Sequence, residues 1–181
     1  MYYRLQAIIE DLLCLSRLEQ GTDAVGRDLG IYKVAEVLSS AAQSCQMIAD
    51  ARQMHLHVDC DENLRTRLDP DLMEQAIVNL VDNAVKYSDQ PGTISIRAEV
   101  VEDHVLISVQ DTGRGIEAHH IPRLFERFYR VDKSRSRSQG GTGLGLAIVK
   151  HIARFHDGQV TVMSKLDEGS QFTIQIPWSI S

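Results

Sequence analysis

The sequence predicts an α+β fold in two layers: a mixed, mostly antiparallel sheet covered on one face by helices and preceded by a helical stub. Three observations predict it. Strand-length segments with alternating apolar residues come in hairpin pairs, three helix-length segments carry apolar residues at helical spacing, and a polar stretch sets the opening helix apart.

Residues 4–19 read as that opening helix. Leu5, Ile8, Leu12 and Leu15 keep the spacing of a bundle seam, and Ile9, Leu13 and Leu18 widen the stripe. Gly21 and the polar stretch to Asp28 divide the chain into 1–28 and 29–181. The helix can dock within one fold or belong to a bundle whose other members lie outside this chain. The rest follows in order: a strand at 31–34, a helix over 35–53, and strands at 55–60 and 66–69. Asp69-Pro70 then supplies an N-cap and an N1 proline for a helix to about 87. A hairpin follows, 93–101 and 105–110, turning at Glu102 to His104. After an arginine-rich stretch come a helix at 143–156 and strands at 160–164 and 171–176.

Composition sets limits. With 181 residues, 43% hydrophobic content and 4 prolines, the chain fits a compact fold rather than a disordered one. A formal charge of −6 argues against a nucleic-acid binder. Cys14, Cys45 and Cys60 are odd in number and lack CxxC spacing, so a disulfide framework or zinc site is not expected and a reducing compartment is. No apolar run approaches the roughly 18–20 residues of a membrane span. No signal peptide opens the chain, so a soluble molecule without membrane contact is expected.

Three constellations point to chemistry. On the helix at 70–87, Gln75, Asn79, Asn83 and Lys86 form a line apart from the apolar stripe. Asparagine is a poor helix former, so two of them one turn apart need a reason. A solvated helix face is one; carboxamide oxygens for Mg2+ with a lysine for phosphate is the other. Asp111-Thr-Gly-Arg-Gly-Ile116 directly follows a strand. Alone it reads as a tight turn, and otherwise as a carboxylate that accepts from an exocyclic amine. Gly140 to Leu146 opens a helix and exposes backbone N–H groups at the positive end of its dipole, an anion site. It lacks the Gly-Lys-Ser/Thr of a P-loop and the third glycine of a dinucleotide fingerprint. Lys133, Arg135 and Arg137 before it suggest a flap over phosphates.

In this order the motifs resemble the catalytic domain of sensor histidine kinases, in the superfamily that also holds DNA gyrase B, Hsp90 and MutL. Asn79 to Tyr87 is similar to the N box, Asp111 to Gly115 to the G1 box, Leu124 to Arg130 to the F box, Gly141 to Leu146 to the G2 box, and Glu168 to Ile174 to the last glycine motif. The resemblance covers 31–178. Residues 12–19 resemble the end of the second helix of the dimerization and phosphotransfer hairpin, which favours the bundle reading.

The resemblance implies ATP and Mg2+ as cofactors. Asn83 is expected to ligate Mg2+, with Asn79 close by. Lys86 and Tyr87 would meet phosphate, ribose or the adenine face, and Asp111 the adenine amine. Gly113, Gly115 and Ile116 would admit the base, and Thr173 would reach it through water. Gly141, Thr142, Gly143, Leu144 and Gly145 would form the flap. Arg130 would meet the γ-phosphate, with Arg127 the weaker candidate, while Phe125 and Phe128 would pack. Gyrase-like relatives carry glutamate where this chain has Asn79, and a carboxamide is no base at neutral pH. Phosphoryl transfer to a histidine is therefore expected, with Asn79, Lys86 and Arg130 at the transferring group. The expected partners are a phosphotransfer hairpin and a response-regulator receiver domain. The expected setting is cytoplasmic, under an inner-membrane sensor. None of the seven histidines has the acidic residue and proline that follow an acceptor, so the acceptor helix is expected upstream. An anti-sigma-factor-type serine kinase and a nucleotide-sensing module are the alternatives. A metal pair at His55 and His57 lacks a visible third ligand.

Overall fold

The computed structural model describes residues 8–9, 11–16, 29–131 and 141–180. The remainder of the expected opening helix, the boundary over 17–28, Lys133, Arg135, Arg137 and Gly140 lie outside the described residues.

Strand β1 (Gly30–Lys33) leads into helix α1 (Val34–Asp50), followed by β2 (Met54–Cys60), β3 (Arg65–Leu68) and α2 (Pro70–Tyr87). The hairpin β4 (Gly92–Val101) and β5 (His104–Asp111) precedes a 3-10 helix at Ala118–Arg123, then α3 (Gly145–Phe155), β6 (Gln159–Lys165) and β7 (Gly169–Pro177). Five strands form one sheet in the order β2-β4-β5-β7-β6, while β1 and β3 pair separately. Only β2 with β4 is parallel within the larger sheet. The expected α+β sandwich is therefore present, and the short 3-10 helix is the element that periodicity did not mark. Its Pro122 and clustered histidines carry no helical repeat.

Alternation decides which face of the sheet is covered. Ile94 and Ile96 on β4, Val105 and Ile107 on β5, and Ile174 and Ile176 on β7 are fully buried beneath the helices. Each helix answers with an apolar stripe that includes alanines, such as Ala41 on α1, Ala76 on α2 and Ala147 on α3. Small side chains let α1 and α3 approach α2 closely from either side. On the opposite sheet face Arg97 meets its register partner Asp59 at 2.7 Å, an exposed pair that adds little stability. His55 and His57 sit exposed on the edge strand β2. The thiols of Cys45 and Cys60 are pushed up to about 11, chiefly by burial.

Residues 8–9 and 11–16 are helical and rest against this fold. Leu15 is fully buried in the same core, while Ile9, Leu12 and Leu13 remain exposed. One face of the widened stripe is thus satisfied within the chain and the other is not.

The start of α2 follows the cap signal: the Asp69 side chain accepts from Leu72 N at 3.0 Å, and Pro70 opens the helix. Asp69's own N–H donates to Nε2 of buried His156 at 2.9 Å, and His156 Nδ1 lies 2.8 Å from the Ile152 carbonyl. This pairing requires a neutral imidazole with its proton on Nδ1. Replacing His156 with leucine leaves the Asp69 N–H unpaired in the interior. His156→Leu is expected to lower stability by about 1–3 kcal/mol in chemical denaturation.

Candidate functional site

A cavity of about 330 Å3 opens between α2, the end of β5 and the start of α3. Asn79, Asn83, Lys86 and Tyr87 line it because their positions on α2 are rotated away from the buried stripe of Met73, Ile77, Leu80 and Ala84. Asn79 is held by its own helix: Nδ2 donates to the Gln75 carbonyl at 3.0 Å. Its Oδ1 faces Gly145, where an added Cβ would lie only 2.9 Å away. Lys86 forms an ion pair with Asp82, one turn earlier and also on the cavity wall. The Arg114 guanidinium lies 5.5 Å from the centre of the Tyr87 ring.

Asp111 ends β5 as a nearly buried carboxylate, 7% exposed. Burial holds its carboxyl above the ordinary value of 3.8, while N–H groups of Gly113 and Ser170 partly pull it back. The Gly113 bond is 2.8 Å. The carboxylate oxygens are thus fixed by backbone donors at the cavity wall.

Several expected residues take other roles. Gly113 does not line the cavity; a Cβ there would lie 2.5 Å from the Tyr87 carbonyl, so glycine lets the loop cross the end of α2. Gly115 and Ile116 do line it. Yet Gly115 has φ +67, and its added Cβ would meet the Lys165 carbonyl at 1.9 Å. Its glycine is demanded by the β6–β7 turn, to which Asp167 N–Arg114 O (2.7 Å) and Ile116 N–Ser164 Oγ (2.8 Å) also tie the loop. Thr173 is displaced by parity: Phe172, Ile174 and Ile176 face the core, so Thr173 lies on the opposite side of β7. Ser170, on the inner face, lines the cavity instead. Counting back from Phe172 in twos would have found it.

At the other end, Gly141, Thr142, Gly143 and Gly145 line the wall. Leu144 does not; its side chain is fully buried, and its N–H donates to Thr142 Oγ1 at 3.2 Å. Gly143 has φ +76, and its carbonyl accepts from Phe128 N at 2.8 Å. Arg130 lines the cavity with its guanidinium beside Gly141, 3.4 Å from where a Cβ would stand. Arg127 does not line it; exposed, its charge adds to burial in holding His151 of α3 below the ordinary histidine range. Phe125 packs edge-on against Phe172 with centroids 6.4 Å apart. Phe128 is 57% exposed, with φ 61, so it docks the glycine loop through its backbone rather than its ring.

Among the lining residues that escaped the sequence reading are Tyr129, Arg114 and Asp11. Tyr129 is placed by His120 Nδ1, 2.7 Å from its hydroxyl, and by Arg123 over its ring. Arg114 was hidden between two glycines. Asp11 reaches the cavity from the N-terminal helical segment and accepts from Thr142 Oγ1 at 2.8 Å. Only the packing of that segment reveals it.

The sequence pattern of the histidine kinase-, DNA gyrase B-, and HSP90-like ATPases matches residues 68–180. Over 175 residues, 97% of this chain, it is 42% identical to the sensor-like histidine kinase SenX3 of Mycolicibacterium smegmatis, covering 45% of that protein. It is 41% identical over 170 residues to the phosphate regulon sensor protein PhoR of Pseudomonas aeruginosa, covering 94% of this chain and 38% of that one. The full-length ShkA structure in complex with AMPPNP superposes with a TM-score of 0.84 at 26% identity, covering 98% of this chain and 36% of ShkA. This chain thus spans less than half the length of these proteins. It belongs to the histidine kinase-, DNA gyrase B-, and HSP90-like ATPase family, in the form of a sensor histidine kinase catalytic domain.

Proposed function

We propose that the cavity binds Mg-ATP with adenine at Asp111 and phosphates at the start of α3, and presents the γ-phosphoryl group to a histidine on a phosphotransfer hairpin. The observation that carries this reading is the pairing of a buried, N–H-braced carboxylate with a glycine-opened helix N-terminus across one cavity. The first suits an exocyclic amine and the second a polyphosphate. ShkA, a structural relative, was solved with AMPPNP, which supports a nucleotide here.

Asn83 and Asn79 offer neutral oxygens at the cavity wall. A sparse protein donor set fits Mg2+, which keeps several waters and takes its remaining ligands from phosphates. When bound, the ion would neutralise phosphate charge. Arg130 and Lys86 would add cationic contacts to the transferring group, with Lys86 first leaving Asp82. Asn79 supplies no base for water, so its role is to position rather than to hydrolyse. In this reading 1–28 ends the second helix of the hairpin, and the exposed Ile9, Leu12 and Leu13 meet the other helices of that bundle. A receiver domain would take the phosphoryl group onward, and the setting is cytoplasmic. Among the described residues no helix is long and apolar enough to cross a membrane.

Asn83→Ala and Asp111→Ala are each expected to weaken ADP and ATP binding at least tenfold by calorimetry, about 1.4 kcal/mol or more. The wild-type chain with ATP should place acid-labile phosphate on a histidine-bearing hairpin supplied separately. Unchanged binding in both variants would refute the reading.

A second expectation concerns pH. Binding through a charged acceptor favours ionised Asp111, so nucleotide should lower its raised pKa, and affinity should fall as pH drops through it. Without nucleotide the sign for stability is the opposite. The folded pKa lies above the unfolded one, so its contribution is present at low pH and lost as pH rises through the folded value. Carbon-13 NMR of the Asp111 carboxyl should show a midpoint above 3.8 that ADP moves down.

Gly145→Ala brings a Cβ against Asn79 Oδ1 at the cavity wall. It should weaken ADP about tenfold while leaving adenosine binding within about twofold, because the disturbed end is the one assigned to phosphates. Equal losses for both ligands would place the phosphates elsewhere.

A further inference from the structure

The cavity is lined by a carboxylate from outside the ATP-binding fold proper, and its position conflicts with what the cavity is built to hold. Asp11 lies on the N-terminal helical segment. Its Oδ2 accepts from Thr142 Oγ1 at 2.8 Å, and the same hydroxyl oxygen accepts from Leu144 N, at the N-cap of α3, at 3.2 Å. One side chain therefore separates a carboxylate from the first N–H groups of an 11-residue helix, with the Arg130 guanidinium nearby at Gly141. Those are the donors that an incoming phosphate needs.

We propose that Asp11 sets the selectivity of the nucleotide cavity: its carboxylate competes with phosphates for the amino end of α3, so phosphate binding and docking of the N-terminal helical segment oppose each other. This rests on the nucleotide reading of the site. Two anions facing one set of donors repel, and the more highly charged one displaces the other. Coupling of this kind is reciprocal, so a docked segment lowers affinity for phosphates by the same factor by which phosphates weaken docking.

The segment has a second hold on the same wall. Leu15 is fully buried, and Cys14 Sγ donates to Gln75 Oε1 at 3.3 Å. Gln75 also fixes Asn79 through its carbonyl. Release of the segment thus frees one side of the residue that orients a cavity carboxamide, and both contacts report to the phosphate end.

The full chain and two variants test this. Asp11→Asn keeps an oxygen for Thr142 and removes the charge; Asp11→Ala removes both. Each is expected to tighten ADP about fivefold in calorimetry, the scale of one charge near a partly exposed helix end, with adenosine unchanged. In the wild type, saturating ADP should speed alkylation of Cys14, followed by peptide mass spectrometry with the high-pKa thiols of Cys45 and Cys60 as references. Adenosine should not speed it. Unchanged or weaker ADP binding in Asp11→Asn, equal gains for adenosine, or Cys14 alkylation indifferent to ADP would each overturn the proposal. A wild-type chain that binds no ADP would instead overturn the nucleotide reading itself.

Discussion

The relative placement of α2 and α3 is the constraint on which the site depends, and it is pinned at two points. At one end the N–H of Asp69 meets His156; at the other Gly145 lies against Asn79. Ten residues of α2 and eleven of α3 separate these contacts, which at 1.5 Å per residue are nearly equal lengths. Two antiparallel helices locked at both ends of equal spans cannot slide by a turn without breaking one lock. The carboxamides of α2 therefore face the first N–H groups of α3 in a fixed register. Neither lock is apolar, although an apolar seam joins them. The seam supplies the attraction, while one hydrogen bond and one close steric approach choose the register.

A second dependence runs through the β6–β7 turn. The loop after Asp111 holds its shape because Gly115 passes under Lys165 and Asp167 donates to Arg114. Ser164 Oγ accepts from Ile116 N and is bonded to Ser170 Oγ at 2.9 Å, so the floor of the cavity is stitched to the last hairpin. This stitching presents the backbone N–H groups of Gly113 and Ser170 to buried Asp111, and they favour its charged form. Its raised pKa records a burial cost that the donors do not fully offset.

Much of this was legible in the chain. Asp69-Pro70 announced the start of α2 through chemistry that acts within one turn, and the alternation of Ile94, Ile96 and Ala98 announced the covered face of the sheet. The cavity residues on α2 were legible for a similar reason, since asparagines on a helix contradict local propensity and demand an explanation. What escaped depends on distant partners. Glycine at 115 reads as access for a ligand until the β6–β7 turn is seen beneath it. Nothing local to His156 marks its role, because its partner Asp69 stands 87 residues away. Thr173 lies on the face of β7 opposite Phe172, and strand parity alone places it there. Phe128 followed its residue type rather than its backbone, whose positive φ turns the ring outward.

The two ends of the cavity differ in kind, and the difference follows from what each is made of. Around Asp111 every partner is backbone or sheet, so the carboxylate sits in a frame that moves only if the sheet moves. At the start of α3 the wall is Gly141 to Gly145, joined to its surroundings by Phe128 N and the hydroxyl of Thr142. With Gly143 at positive φ and Gly145 in close approach, this segment depends on local contacts rather than on the sheet, the kind of element that adjusts at less cost than global unfolding. One end can thus fix a ligand by shape while the other adjusts to charge. In the proposed reading, a site that holds a nucleotide and presents its terminal phosphoryl group would use this asymmetry, and the pinned α2–α3 register leaves the adjustment to the residues from Gly141 to Leu144.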